Sequence, residues 1–191
     1  ALGHVFVTDH CDTEVLLHGW REWGETLPKW LNGMFAFALY DTGRQRLFLA
    51  RDRFGKKPLY YRLEPGFFAF ASELSSLAVH PKVPTDIDPL ALRKYFAYGF
   101  IPAPNAMYKG VRKLPGGHSL SLDLTGLDAG GNPRLTRWFA FCIEPDQSIP
   151  HNAEERWCEE LVVLLEAAVR RRLMSDVPLG VFLSGGIDSS S

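Results

Sequence analysis

Three cysteines in 191 residues, Cys11, Cys142 and Cys158, are too few and too scattered for a disulfide framework or a zinc cluster. The six histidines have no ligand spacing of the His-x-x-x-His kind, so no metal site is expected from them. An excess of one charge is also missing: 21 Lys and Arg stand against 22 Asp and Glu, for a formal net charge of −1. That balance excludes charge-driven binding to nucleic acid or to an anionic membrane. The longest apolar runs, such as Met34–Tyr40 and Leu161–Leu165, fall far short of the roughly 20 residues that a membrane helix requires. Internal repeats and low-complexity segments are lacking too. A reducing, cytoplasmic compartment is the simplest expectation for such a chain.

What is present is ordinary in bulk. The sequence is 46% hydrophobic and 23% charged, which excludes a disordered tail, a collagen-like repeat and a coiled coil. A soft prior of about 150 residues per domain gives one full domain and part of another. Residue 1 is Ala, and 1–10 has neither the charged start nor the apolar core of a signal peptide. At the other end, Ser189-Ser190-Ser191 arrive as a strand–turn–helix unit begins. The expectation is an internal piece of a longer protein.

Local patterns suggest the elements. His4–Thr8 is β-branched and aromatic and reads as a strand. Asp12-Thr13-Glu14 offers a helix N-cap with acids in the first turn, and the helical run ends at Gly24. From Met34 the period becomes two: Met34–Tyr40 reads as a strand covered on both faces, and Arg46–Ala50 returns after an Asp-Thr-Gly-Arg turn. Pro58–Arg62 and Phe67–Ala71 form a second hairpin around Glu64-Pro65-Gly66, with a short helix over 72–79. Asp88-Pro89 opens a helix carrying Leu90, Leu92, Tyr95, Phe96 and Phe100, and 117–124 alternates as a strand. Ala153–Met174 has the clearest helical stripe, through Trp157, Leu161, Leu164, Leu165, Ala168 and Leu173, and Arg170-Arg171-Arg172 at its end suits the helix dipole. Cys142 and Cys158 read as small buried hydrophobes. Phe35, Phe37, Phe48, Phe68 and Phe70 read as core, and Arg51, Asp52, Lys56 and Lys57 as a structural ion-pair network around a turn.

The most informative stretch lies at the C-terminal end. Val177–Leu183 reads as a buried strand opening a new sheet, and it runs into Ser184-Gly185-Gly186-Ile187-Asp188-Ser189-Ser190. Two glycines let the backbone approach a ligand and accept φ > 0, so several N–H groups can converge on one anion. The hydroxyls of Ser184, Ser189 and Ser190 and the start of a helix complete a cradle for phosphate. A carboxylate would repel phosphate unless a divalent cation stood between them, so Asp188 is expected to hold Mg²⁺. No Gly-Lys-Ser/Thr and no Gly-x-Gly-x-x-Gly follows, which excludes a Walker A loop and a dinucleotide fingerprint.

Ser-Gly-Gly-Ile-Asp-Ser resembles the pyrophosphate loop of ATP pyrophosphatases, which cleave ATP between the α and β phosphates and adenylate a carboxyl or carbonyl oxygen. The preceding segments sharpen the likeness. Cys11-Asp12-Thr13-Glu14-Val15, Leu31–Asp41, Ala50–Tyr61, Phe70-Ala71-Ser72-Glu73, Leu114–His118 and Met174–Val181 occur in order. Together they resemble the glutamine-hydrolysing asparagine synthetase family along essentially the whole chain.

The resemblance implies an α+β, α/β architecture. The C-terminal part of an N-terminal-nucleophile glutaminase domain (an αββα sandwich) would occupy 1–125. A linker would cover 126–151, and the first helix and strand of an α/β ATP-pyrophosphatase domain 152–191. It implies glutamine, aspartate and ATP as substrates and is compatible with a homodimer. A β-aspartyl-AMP intermediate would receive ammonia freed from glutamine. Siblings with this layout amidate other carboxylates or close a ring, and a nucleotide-binding module without catalysis is a further alternative. Asp12 would hold the α-amino group of glutamine, although a helix N-cap is equally consistent with its position. Phe182, Ser184, Gly185, Gly186, Asp188, Ser189 and Ser190 would bind ATP and pyrophosphate. The nucleophilic cysteine of that family is N-terminal and is expected upstream of Ala1. Cys11 has no free α-amino group and cannot replace it.

Overall fold

A computed structural model of the chain describes residues 3–8, 11–129, 131–145, 153–175 and 177–187. It divides into two compact units, residues 1–141 and 142–191.

The first unit is built on two antiparallel sheets. Strands β1 (Ala36–Asp41), β2 (Arg46–Arg51), β6 (His118–Asp123) and β7 (Arg134–Arg137) form one, in that order. Strands β4 (Phe67–Ala71), β3 (Tyr60–Glu64) and β5 (Val111–Lys113) form the other. Their registers pair Leu49 with Leu120 and Leu47 with Leu122 in the first sheet, and Tyr61 with Phe70 in the second.

Successive strand residues point to opposite faces, and β2 shows what that does. Leu49 joins Leu59, Tyr61, Leu114, Leu120 and Leu122 in one buried cluster that draws on both sheets. Its neighbour Phe48 is fully buried and meets Trp20 of helix α1 (Asp12–Trp23), ring centroids 4.9 Å apart. On the second sheet, Tyr60, Phe67, Ala69 and Ala71 pack with Leu77 and Leu74 of helix α2 (Leu74–Ala78) and with Val83, Ala106 and Val111. Two apolar cores therefore stack, one between the sheets and one under α2.

Helix ends follow the expected chemistry. Gly24 closes α1 at φ 51°, a conformation open to glycine, with its N–H on the Trp20 carbonyl. In helix α3 (Pro89–Tyr98) the Asp88 side chain accepts the Leu90 N–H, Pro89 fills the first position and Gly99 closes in the left-handed region. Phe100 lies beyond that helix.

Several expectations are corrected. Residues 3–8 form no strand; Val5 and Val7 are exposed, and the segment is held by side chains of α1 instead of by a sheet. β1 is an edge strand with Ala38 and Tyr40 exposed, so its apolar run is covered on one face only. Phe70 is 41% exposed at the outer strand of its sheet. Cys142 and Cys158 are exposed, not buried. Within 126–151, expected as a linker, Arg134–Arg137 form β7, which pairs with β6 over Ser121–His118.

The second unit contains helix α4 (Ala153–Arg170), shorter than expected, with Leu173 outside it. Arg170 pairs with Glu166 one turn back at 2.6 Å, and Arg172 donates to the Ala168 carbonyl at 2.7 Å, which serves the orphan carbonyls of a helix end. The run 177–183 is not a strand: Val181 is 78% and Phe182 98% exposed. A strand requires a hydrogen-bonding neighbour, and the described residues of this unit supply none. Among the described residues, no helix is long and apolar enough to cross a membrane.

Candidate functional site

The start of α1 carries Asp12, the residue expected to meet glutamine. Cys11 is the capping residue, with extended backbone and no side-chain cap bond, and Asp12 is the first helical residue. The N-cap role left open for Asp12 is therefore not the one it has. Its side chain is exposed, and among the described residues it takes no hydrogen bond. A carboxylate there, at the end of a helix rich in unpaired N–H groups, is free to accept from an ammonium group on a ligand.

Its neighbours are engaged. Glu14 accepts the backbone N–H groups of Val7 (2.7 Å) and Thr8 (2.8 Å), and the Thr8 hydroxyl. The Thr8 hydroxyl first, then the Val7 N–H, pull its carboxyl down to about 2, against a smaller opposing effect of burial. The Cys11 thiol is also drawn below its ordinary range, by the Thr13 side chain and then by the Glu14 N–H. It is exposed, yet it lies within the chain and has no α-amino group to serve as its base.

The motif Ala50–Tyr61 runs from the end of β2 to the start of β3 through a loop whose backbone is held by its own side chains. Asp52, 1% exposed, accepts N–H groups from Phe54 (3.2 Å), Lys56 (2.9 Å) and Lys57 (2.9 Å). Arg51 donates to the carbonyls of Lys57, Leu114 and Gly55, each at 2.6 Å. The expected ion-pair network is thus replaced by two charges that bind backbone. Burial lowers the Arg51 guanidinium, and the Asp52 carboxylate pulls it back up. Gly117 donates to the Asp52 carbonyl at 2.8 Å, and Trp138 and Phe139 donate to the Gly117 carbonyl. Arg53 reaches the Leu31 carbonyl at 2.9 Å and lies over the rings of Trp138 and Phe139. Three sequence motifs (31–41, 50–61 and 114–118) meet at this one junction.

Sequence pattern alone does not single out Glu14 or Asp52 as hubs. A signal exists for Asp52, since Asp followed by a loop with Gly three residues later is the composition of an Asx turn. Glu25, equally silent in the sequence, reaches across the first sheet to Arg46 (3.4 Å), Ser121 (3.1 Å) and Arg134. Nothing in its sequence neighbourhood announces partners so far along the chain.

The phosphate-loop candidates belong to the second unit. Gly185 has φ 72°, in the left-handed region expected of a phosphate loop, and beyond its chain neighbours no described residue comes within 4 Å of where a Cβ would stand. A backbone so open fits close approach by an anion. Ser184 and Gly186 flank it, and Phe182 lies just before, almost wholly exposed. Asp188, Ser189 and Ser190, including the expected Mg²⁺ contact, lie outside the described residues. Asp12 and this loop belong to different units.

Comparison with known proteins finds two families along the chain. A family profile described as glutamine amidotransferase domain matches residues 1–131, and one described as asparagine synthase matches 160–191. The chain is 36% identical over 192 residues to asparagine synthetase [glutamine-hydrolyzing] 3 of Bacillus subtilis, covering all of this chain and 30% of that protein. It is 38% identical over 194 residues to a putative asparagine synthetase [glutamine-hydrolyzing] of Mycobacterium tuberculosis, covering 99% of this chain and 28% of that protein. With a putative asparagine synthetase [glutamine-hydrolyzing] 2 of Methanocaldococcus jannaschii it shares 38% identity, over 94% of this chain and 34% of that protein. The chain thus spans about 30% of the length of the curated relatives it matches. With its first 131 residues matched by that domain profile, the chain belongs to the glutamine amidotransferase domain family, and an asparagine synthase match follows.

Proposed function

We propose that the protein carrying this chain is a glutamine-dependent asparagine synthetase. It would transfer the amide nitrogen of glutamine to aspartate with consumption of ATP, giving asparagine, glutamate, AMP and pyrophosphate. What carries the reading is the order of two sites in one chain: an amidotransferase domain with an uncommitted carboxylate at Asp12, then a Ser-Gly-Gly loop with Gly185 left-handed.

Asp12 accepts a charge-assisted hydrogen bond from the α-amino group of glutamine, which anchors that end of the substrate. The stacked sheets with helices against them support an N-terminal-nucleophile sandwich as the scaffold of this half. The attacking cysteine, by family resemblance, is an N-terminal residue whose own amino group removes the thiol proton. In the second half, backbone N–H groups of 184–186 and the hydroxyls of Ser184, Ser189 and Ser190 hold the pyrophosphate moiety. Asp188 would hold the Mg²⁺ that accompanies ATP and balances the phosphate charge. The side-chain carboxylate of aspartate would take the adenylyl group of ATP as pyrophosphate leaves, and ammonia would then attack the acyl carbon of β-aspartyl-AMP and displace AMP.

The test is pyrophosphate release from MgATP by the full-length protein with ammonia supplied, with and without aspartate. Release that depends on aspartate supports the proposal. Release only with another carboxylate moves the protein to a sibling amidotransferase, and no release overturns the reading of the loop.

A further inference from the structure

Residues 3–8 lie beside α1 without the means that usually hold a segment in place. Val5 is 81% and Val7 90% exposed, so apolar burial contributes little. A cavity lined by His4, Phe6, Val15, His18 and Glu22 remains beneath the segment. What fixes it is charge. Glu14, with only 13% of its side chain exposed, takes the two N–H groups and the hydroxyl of Val7-Thr8, and Glu22 takes His4 Nε2 at 3.0 Å. His18 packs tilted against His4 and edge-on against Phe6, with centroids 4.6 and 4.8 Å apart, and brings Nε2 within 3.4 Å of Glu14.

Glu14 sits two residues after Asp12, in the first turn of the same helix. Its backbone N–H binds the Cys11 carbonyl at 3.1 Å, so one residue ties down both the helix start and the segment before it. We propose that Glu14 is a positioning residue for glutamine capture: by gathering the Val7 and Thr8 backbone on its carboxylate and the Cys11 carbonyl on its N–H, it fixes the helix start on which Asp12 stands. This rests on the reading of Asp12 as the glutamine contact. The low carboxyl pKa of Glu14 agrees with a group that stays an acceptor throughout the working pH range.

A group that only stabilises the fold would lower glutamine-dependent and ammonia-dependent synthesis together. A positioning group for glutamine raises one KM. The experiment uses the full-length protein with Glu14→Ala, Glu14→Gln and Thr8→Val, and measures KM and kcat with glutamine and with ammonia. Misplacing a substrate contact by about 1 Å costs up to about 100-fold. Glu14→Ala is expected to raise KM for glutamine about 10- to 100-fold. The ammonia-dependent rate should stay within about twofold, because that nitrogen source needs no contact here. Glu14→Gln keeps one acceptor oxygen and is expected to fall between Glu14→Ala and the unsubstituted protein. Should Glu14→Ala fail to fold, Thr8→Val decides, since it loses only the hydroxyl contact: a rise in glutamine KM of about two- to fivefold is expected. Unchanged glutamine KM in these variants, or equal losses with both nitrogen sources, overturns the inference. Asp12→Ala separates the two levels. If it abolishes glutamine use while the Glu14 variants do nothing, only the positioning role fails. If it has no effect on glutamine use, the reading of Asp12 fails first.

Discussion

Arg51 and Asp52 are adjacent and oppositely charged, yet each directs its charge to backbone groups instead of to the other. The carboxylate takes three N–H groups from 54–57, and the guanidinium gives to three carbonyls at 55, 57 and 114. A turn that buries its own polar backbone has to satisfy it internally, and these two side chains do so.

Asp52→Asn should therefore be costly although it conserves shape. An amide keeps one acceptor oxygen and places an NH₂ group against backbone N–H groups. Losing charge-assisted bonds at a site that is 1% exposed costs about 1–3 kcal/mol each. The expected result is a lower midpoint in denaturant with the slope unchanged. A midpoint equal to that of the unsubstituted chain would mean that solvent reaches this carboxylate.

Gly116 has no room for a side chain. A Cβ there would stand 2.7 Å from Gly55 N, 2.8 Å from the Phe54 carbonyl carbon and 3.1 Å from the Arg53 oxygen, all backbone. Gly116→Ala must push apart the two loops at the junction, at a cost of about 1–3 kcal/mol or more. Gly33→Ala is the control, with nothing within 4 Å, and should stay within about 0.5 kcal/mol. Thermal unfolding of both variants distinguishes a packed junction from a loose one.

The sequence is most legible where the chemistry is local. Asp88-Pro89 and Gly99 frame α3 as capping rules require, and the Glu64-Pro65-Gly66 turn sits between β3 and β4. The 46–51 strand is equally readable, because both of its faces are covered and its residues are largely apolar. Failures fall where partners lie far along the chain. Val5-Phe6-Val7 looks like strand, but only a sheet neighbour makes such a run one. Residues 134–137 look like linker until β6 pairs with them. At the candidate site, the pattern around Asp12 is visible in the sequence, while its availability is not. That depends on Cys11 taking the capping position without a side-chain bond.

Asp12→Ala in the full-length protein is expected to abolish glutamine-dependent synthesis and to leave ammonia-dependent synthesis in place. Only capture of the α-amino group is lost. Asp188→Ala should instead remove ATP cleavage with either nitrogen source, because the cation partner of the phosphates goes with it. Parallel assays with glutamine and ammonia resolve the pair. Equal losses in Asp12→Ala would make that residue structural, and retained pyrophosphate release in Asp188→Ala would overturn the phosphate-loop assignment.

The grip of Glu14 on residues 7–8 should survive far into acid. Its carboxyl is lowered from 4.5 to about 2, chiefly by the Thr8 hydroxyl and the Val7 N–H. Folding therefore favours the ionised form, and the stabilisation is fully present above about pH 4.5 and lost as pH falls toward 2. The facing groups are Thr8 and Val7 on the segment and His18 on the helix, with His4 and Glu22 paired beside them. Amide proton shifts of Val7 and Thr8, followed by NMR from pH 7 downward, should titrate with a midpoint close to 2, and Glu14→Gln should abolish that titration. A midpoint near 4.5 would mean that the carboxylate does not hold these N–H groups in solution.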